Sequence, residues 1–168
     1  MSKLKNLISQ DAIDKVKELA KDINVCMFCT DLERLPIDTR PMTVQDVDDE
    51  GNIWFISSKT SNKNFDISTD KRVQLFFSKV SDSQYLSVFG EATIYTDQAT
   101  IEELWTPIAK AWFDEGKKDP DVSIIKVAPH DAYYWDTTSG RIVSLIKIAA
   151  SALVGLKSDG GVEGRLKV

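Results

Sequence analysis

Two neighbouring stretches decide the fold of this chain. The first is Arg40-Pro41-Met42, and the second, after an acidic turn, is Trp54-Phe55-Ile56-Ser57-Ser58-Lys59-Thr60-Ser61-Asn62-Lys63. The pattern predicts two strands joined by a hairpin, with the second strand running into a polar loop that opens a helix. Such a loop brings together hydroxyl groups, free backbone N–H groups and a cation, as binding of a phosphate dianion requires. The sequence therefore predicts a phosphorylated ligand.

A simpler interpretation of the same loop needs no ligand. In that interpretation Ser61 is the N-cap of the helix and Lys63 is solvated. The spacing alone leaves both interpretations open.

Composition limits the class of protein. The 168 residues, 42% of them hydrophobic and 28% charged, predict one globular domain. The net charge of −5 argues against a nucleic-acid partner. The longest apolar run, residues 142–155, contains Lys147 and is too short to cross a bilayer. Since residues 1–10 do not resemble a signal peptide, we expect a cytoplasmic protein without a membrane partner.

Hydrophobic alternation and helical spacing predict a mainly β fold with helices, of the α+β class. The predicted strands cover residues 25–30, 37–47, 53–58, 72–78, 85–95, 122–128 and 132–137. The predicted helices cover about residues 10–23, 61–69, 97–113 and 141–154. These elements predict a small antiparallel barrel of about six strands with peripheral helices.

Three local signals refine that prediction. Pro107 is expected to kink or divide the third helix, because proline lacks the backbone N–H. Pro129-His130-Asp131 predicts a turn between the last two strands. Residues 165–168 are expected to pair with an edge of the sheet.

Cys26 and Cys29 have the C-x-x-C spacing of some redox pairs. They lie in a predicted strand, where no helix dipole lowers the pKa of a thiol. Positions three apart on a strand point to opposite faces, so the two sulfur atoms should diverge. We therefore favour two buried structural thiols over a redox pair.

Other common chemistries lack support. His130 is the single histidine, so a catalytic zinc site is not predicted. Residues 46–51 resemble the start of an EF-hand loop, but Ser57 stands where the bidentate glutamate belongs. We expect no metal site. The chain also lacks the G-x-S-x-G, G-x-G-x-x-G and Walker patterns.

The order and spacing of several motifs resemble one known family. The motifs are residues 40–42, the turn ending at Gly51, residues 53–57, Ser61-x-Lys63 and residues 71–77. Together they resemble the pyridoxamine 5'-phosphate oxidase-like FMN-binding split barrels. Residues 85–92, 110–116 and 132–136 are most similar to the bacterial general stress protein branch of that superfamily. The resemblance covers about residues 9–155, which implies a domain core there and a tail at 157–168.

The resemblance implies a six-stranded split barrel that forms a homodimer, with FMN in clefts between the subunits. Arg40 and Lys63 would hold the phosphate, and Met42 would lie beside the isoalloxazine. Tyr85 would approach the flavin from the next strand, and Trp112 would close the cleft from the partner subunit. The other residues expected at the cofactor are Ile56, Ser57, Ser58, Ser61 and Asn62.

Departures from the family pattern limit the expected activity. Gln45 stands where the vitamin B6 oxidases carry a second lysine, and residues 160–165 lack their Arg/Trp-rich ending. Oxidation of pyridoxamine phosphate is therefore not expected. We expect a flavin-dependent oxidoreductase with an unidentified small substrate. The alternatives are a flavin-binding or stress-response protein without turnover, and a degenerate barrel that acts through protein contacts.

Overall fold

The computed structural model describes residues 3–4, 7–8, 10–137 and 162–167. Within them lie ten strands: β1 (Lys3–Leu4), β2 (Leu7–Ile8), β3 (Val25–Thr30), β4 (Asp38–Thr43), β5 (Asp46–Val47), β6 (Ile53–Ser58), β7 (Arg72–Lys79), β8 (Gln84–Tyr95), β9 (Val122–Asp136) and β10 (Val162–Lys167). The helices are α1 (Gln10–Ile23), α2 (Asn62–Thr69) and α3 (Gln98–Leu104), with 3₁₀ turns at Val80–Asp82, Pro107–Ala111 and Gly116–Lys118. The helix predicted at residues 141–154 lies outside the described residues.

The central strands form a curled antiparallel sheet. Their order is β4-β3-β7-β8-β9-β6-β5. The predicted α+β class and split-barrel architecture are confirmed, although the structure describes more strands than six. The difference arises because β1, β2 and β10 extend the sheet and because one predicted strand is divided.

The predicted strand at residues 37–47 is divided because its backbone changes partners. The Val44 N–H donates to the Asn24 carbonyl (2.9 Å), whereas the Gln45 N–H donates to the Trp54 carbonyl (2.8 Å). Hence β4 pairs with β3, and β5 pairs with β6. This change of partner brings the two ends of the sheet together beside the polar loop.

The long strand β9 splits the barrel. It pairs with β8 along most of its length, with β6 from Val122 to Val127, and with β10 from Ala132 to Asp136. Since a strand has two edges, β6 and β10 share one edge and diverge along it. The prediction that the end of the chain pairs with a sheet edge is confirmed, with the pairing beginning at Val162.

The turn predicted at Pro129-His130-Asp131 is wrong, since β9 continues through it. Gly90 pairs with Pro129 and Phe89 pairs with Asp131, so His130 is the extra residue of a β-bulge. Proline is tolerated at such a bulge because the ladder is interrupted there. A Cβ atom on Gly90 would lie 2.2 Å from the Ala128 carbonyl oxygen, so the bulge requires glycine at this position.

A buried apolar core lies inside the barrel. Helix α1 covers it with Ala12, Val16, Leu19 and Ala20, which recur at helical spacing. Phe28 and Phe55 meet edge to face inside it, with ring centroids 5.2 Å apart. A second cluster joins α3 to β9 through Ile101, Phe113, Val122 and Ile124.

Pro107 divides the predicted third helix, as expected. Helix α3 begins after Asp97, whose Oδ1 accepts from the Thr100 N–H (2.9 Å), and ends at Leu104. A separate 3₁₀ turn starts at Pro107. The division carries Ile108 and Trp112 away from the helix axis and towards the end of β6.

Cys26 and Cys29 are free and buried on β3. Cys26 lies in the main core, and the Cys29 thiol donates to Thr39 Oγ1 (3.3 Å). Burial, with a smaller effect of Cys29, raises the pKa of the Cys26 thiol to about 12. The prediction of two separate structural thiols is confirmed.

The described residues contain no helix long and apolar enough to cross a membrane. They also contain no group of three or more His, Cys, Asp or Glu side chains arranged to hold a metal ion. The acidic turn after β5 has a structural explanation. Asp48 Oδ1 accepts from the Glu50 and Asn52 N–H groups, and its Oδ2 accepts from Trp54 Nε1, each at 2.9 Å.

Candidate functional site

A cleft of about 510 Å³ opens where β4, β6 and α2 converge. Its lining contains six of the residues expected at the cofactor: Met42, Ile56, Ser57, Ser58, Lys63 and Trp112. The other lining residues are Pro41, Thr43, Gln45, Ile108, Ala109, Phe113 and Asp121. The fold therefore brings residues from four separate segments to one site.

The wall opposite the sheet is apolar. Ile108 and Trp112 line the cleft from the segment that Pro107 starts, and they are 66% and 71% exposed. Exposed aromatic and aliphatic side chains beside a cleft are suited to covering a flat apolar ligand. Trp112 lines the cleft of its own chain, and its contact with the cleft of a partner subunit stays a prediction.

The polar loop at the end of β6 is rigidly hydrogen-bonded. Ser57 Oγ donates to Asn64 Oδ1 (2.8 Å), and Ser61 Oγ donates to the Ser58 carbonyl (2.7 Å). Asn64 Nδ2 in turn donates to Ser123 Oγ on β9 (2.8 Å). The hydroxyl protons of Ser57 and Ser61 are thus used inside the protein, so they are less available to a ligand than the sequence suggests.

Ser61 and Asn62 lie at the start of α2 and outside the cleft lining. Ser61 is the N-cap residue, as the ligand-free interpretation predicts, but its side chain makes no capping bond. Its carbonyl instead accepts from the Asn64 N–H (3.0 Å).

Lys63 lies in the cleft as a partly buried cation. Burial lowers the pKa of Lys63, and the charge of Arg40 lowers it further, while Asp121 acts in the opposite direction. No described carboxylate forms an ion pair with Lys63. The solvated Lys63 of the ligand-free interpretation is therefore not what the structure shows.

Arg40 is anchored beside the cleft without lining it. Its Nη1 donates to Thr30 Oγ1 (2.6 Å), and its Nη2 lies 3.8 Å from Asp66 Oδ2. The Thr30 hydroxyl donates to Asp66 Oδ2 (2.6 Å), which orients both partners. Sequence reasoning did not identify Thr30 or Asp66, since nothing local connects β3 with α2.

Gln45 and Asp121 are further cleft residues at the mouth of the site. Gln45 Oε1 accepts from Thr106 Oγ1 (2.9 Å), which ties the apolar wall to the sheet. Asp121 Oδ1 accepts from the Thr60 N–H (3.1 Å), and Asp121 Oδ2 accepts from Ser58 Oγ. Asp121 was not among the predicted residues because it comes from a loop 63 positions after Ser58.

Tyr85 lies on another face of the barrel. It lines a separate apolar cavity of about 470 Å³ together with Phe76, Tyr133 and Trp135. Phe76, Tyr85 and Tyr133 are each at least 40% exposed. Within one chain, Tyr85 is therefore not brought to the cleft.

The arrangement suits a ligand with a flat apolar body and an anionic end. Met42, Ile56 and Trp112 provide apolar surface, and Lys63 provides positive charge at one end, with Arg40 behind it. A cleft of this volume is in the usual range for a ligand of cofactor size.

Comparison with known families gives a match over most of the chain. Residues 11–159 match the family described as pyridoxamine 5'-phosphate oxidase like. Among curated proteins, the chain is similar to protein bli-3 of Neurospora crassa, with 27% identity over 112 residues and 62% of this chain covered. The aligned part spans about half of that protein (54%).

Solved structures show the same fold. The chain is similar to a general stress protein 26 from Jannaschia sp. CCS1, with a TM-score of 0.74, 25% identity, and coverage of 94% of this chain and 98% of that one. It is also similar to the general stress FMN/FAD binding protein from Xanthomonas citri, with a TM-score of 0.65 and 27% identity. That match covers 76% of this chain and 90% of the other.

Proposed function

Because this chain belongs to the pyridoxamine 5'-phosphate oxidase-like family, we propose that its cleft binds a flavin, and specifically FMN. The observation that carries this proposal is the partly buried Lys63, whose pKa is lowered by burial and by Arg40. Two neighbouring cations of this kind are stabilised when an anion comes between them. The similar protein from Xanthomonas citri, described as FMN/FAD binding, supports the same ligand class.

The residues fit the two ends of FMN. Lys63 would hold the phosphate as a point charge, and Arg40 would provide further donors from beside the cleft. Met42, Ile56 and Trp112 would contact the ring system through their apolar surfaces. Ser57, Ser58 and Ser61 would shape the loop beside the phosphate rather than supply free hydroxyl protons, and Asn62 lies at the start of α2.

A homodimer forms the second part of the proposal. Met27, Phe76, Ser87 and Tyr133 are successive cross-strand partners, so they share one face of the sheet. Met27, Phe76 and Tyr133 are more than 40% exposed, which is a large apolar area for a surface. A second copy of the chain would cover this face, and Tyr85 could then reach a flavin across the interface.

The proposed activity is that of a flavin-dependent oxidoreductase with a small-molecule substrate. Electron transfer is the chemistry that a bound flavin supplies. The protein's part is to hold the phosphate, to cover the ring with Trp112 and Ile108, and to limit water access. Gln45 is neutral and tied to Thr106, so this position offers no cation to a phosphorylated substrate.

An absorption spectrum of the purified protein tests the proposal. We expect the spectrum to show flavin absorption in the blue part of the visible range. Chromatography of the cofactor released by heat should identify it as FMN. Addition of NADH or NADPH then separates an oxidoreductase, whose flavin bands bleach, from a flavin carrier, whose bands persist. A colourless protein that retains no flavin absorption after incubation with FMN and removal of the free FMN would defeat the proposal. That result would favour a barrel that acts through protein contacts.

A further inference from the structure

Asp121 immediately precedes β9 and contacts the loop that follows β6 through three hydrogen bonds. Its carbonyl accepts from the Lys59 N–H (2.7 Å), and its Oδ1 accepts from the Thr60 N–H (3.1 Å). Its Oδ2 accepts from the Ser58 hydroxyl. Asp121 also lines the cleft that contains Lys63.

The side chain of Asp121 therefore occupies donors that an incoming phosphate would otherwise use. A serine hydroxyl has one proton to donate. The proton of Ser58 goes to Asp121, and those of Ser57 and Ser61 go to Asn64 and to the Ser58 carbonyl. Within the described residues, internal acceptors therefore already take the hydroxyl protons of these three serines.

Asp121 also adds negative charge at the cationic end of the cleft. The hydrogen bond from Ser58 lowers the pKa of Asp121, so the carboxylate is ionised at neutral pH. Its charge acts on Lys63 in the direction opposite to that of Arg40. A phosphate bound near Lys63 would therefore experience repulsion from Asp121.

We propose that Asp121 is a specificity-determining residue that limits the preference of the cleft for phosphorylated over unphosphorylated ligands. The Asp121 carboxylate accepts the hydrogen bonds of the Ser58 hydroxyl and the Thr60 N–H, and its negative charge repels the phosphate of a ligand. The inference rests on the proposed function, because it concerns the same cleft. It extends that function, because it assigns part of the preference between phosphorylated and unphosphorylated ligands to a residue other than Lys63 and Arg40.

The test compares dissociation constants of FMN and riboflavin for the wild type and for Asp121→Asn. Asparagine keeps an acceptor for the Thr60 N–H and removes the charge. We expect the preference for FMN over riboflavin to rise about tenfold, with riboflavin affinity unchanged within about twofold. The gain should shrink in about 1 M salt, because salt screens a charge effect but leaves packing unaffected.

The matched control is Asp114→Asn, which removes an exposed carboxylate outside the cleft lining and should leave the preference unchanged.

Ser58→Ala provides a second variant, made both in the wild type and in Asp121→Asn. Because Asp121 takes the Ser58 proton in the wild type and Asp121→Asn releases it, loss of the hydroxyl should lower FMN affinity at least about threefold more in Asp121→Asn than in the wild type. An equal loss in both backgrounds would show that Asp121 does not withhold the hydroxyl from the phosphate and would overturn the proposal. An unchanged or smaller preference in Asp121→Asn, or equal changes for both flavins, would also overturn it while leaving flavin binding intact. A wild-type protein that binds neither flavin would defeat the proposed function instead, and this inference with it.

Discussion

The Arg40 guanidinium lies near enough to Lys63 for its charge to add to the effect of burial, which lowers the pKa of the lysine. Arg40 is held in place by Thr30, and Lys63 projects from the first turn of α2 into the cleft. Arg40 therefore comes from strand β4 and Lys63 from helix α2. The proximity of Arg40 disfavours the charged state of Lys63 in the free protein, and a bound anion would offset this repulsion between the two cations.

Lys63→Ala should weaken FMN binding much more than riboflavin binding. Loss of one charge-assisted contact to the phosphate should cost about 1.5 to 3 kcal/mol, or roughly ten- to a hundredfold in the dissociation constant. Flavin fluorescence titration measures both affinities. Lys59→Ala is the matched control, since Lys59 is exposed and does not line the cleft. Equal losses for FMN and riboflavin in Lys63→Ala would show that Lys63 does not contact the phosphate.

Lys15→Met should destabilise the fold, because it removes the ion pair between Lys15 and the nearly buried Asp136. Lys15 Nζ lies 2.5 Å from Asp136 Oδ2, and the two side chains are 16% and 4% exposed. Removing one partner of such a pair costs about 3 kcal/mol. Urea unfolding measures this loss. In contrast, Lys17→Met breaks a pair with the fully solvated Asp49 and should have little effect on the unfolding midpoint.

The ion pair between Lys15 and Asp136 also makes the free energy of unfolding depend on pH. Burial acts to lower the pKa of Lys15, but hydrogen bonds to Asp136 and Glu18 outweigh it and raise the pKa above 10.5. The stabilisation is therefore fully present below pH 10.5 and is lost as the pH rises through the higher folded-state value. Urea midpoints of the wild type and Lys15→Met should converge above that pH. A constant difference up to strongly alkaline pH would contradict this assignment.

Cys26 and Cys29 should react slowly with thiol reagents in the native protein. Both are buried, and the pKa of Cys26 is raised to about 12, so little thiolate forms at pH 8. Reaction with Ellman's reagent should give two thiols rapidly in denaturant and much more slowly without it. A disulfide found by mass spectrometry of native protein would contradict the strand geometry of β3.

Tyr133→Asp should dissociate the proposed dimer, because it places a charge in the centre of the exposed aromatic face. Sedimentation velocity across a dilution series measures the change. Thr93→Asp adds the same charge at an exposed position elsewhere on β8 and should leave the oligomeric state unaltered. If FMN contacts both subunits, it must also strengthen dimerisation by the factor by which dimerisation strengthens FMN binding. A wild-type monomer that binds FMN at full affinity would refute the interface proposal.

Local patterns predicted most elements, because strand and helix signals are carried by neighbouring residues. Strand β3 and helix α1 have the predicted bounds within about a residue. The failures depend on distant partners. β9 runs through Pro129 because Gly90 on β8 accommodates the bulge, and β4 ends because Gln45 pairs with Trp54. Neither partner can be identified from the local sequence.

The candidate site shows the same limit. The loop after β6 and Lys63 were identified because hydroxyl groups and a cation lie together in sequence. Asp121 was missed because it reaches Ser58 only when β9 pairs with β6. Its effect also reverses part of the prediction, since a serine that is hydrogen-bonded to an internal carboxylate is not a free donor for phosphate.

A titration of the wild-type protein with FMN and with riboflavin tests the central claim most directly. The two ligands share the ring system and differ in the phosphate, so the ratio of their affinities isolates the contribution of the cationic end. With Lys63 and Arg40 at the phosphate, FMN should bind at least about tenfold more tightly than riboflavin. Equal affinities would show that the cleft has no phosphate site.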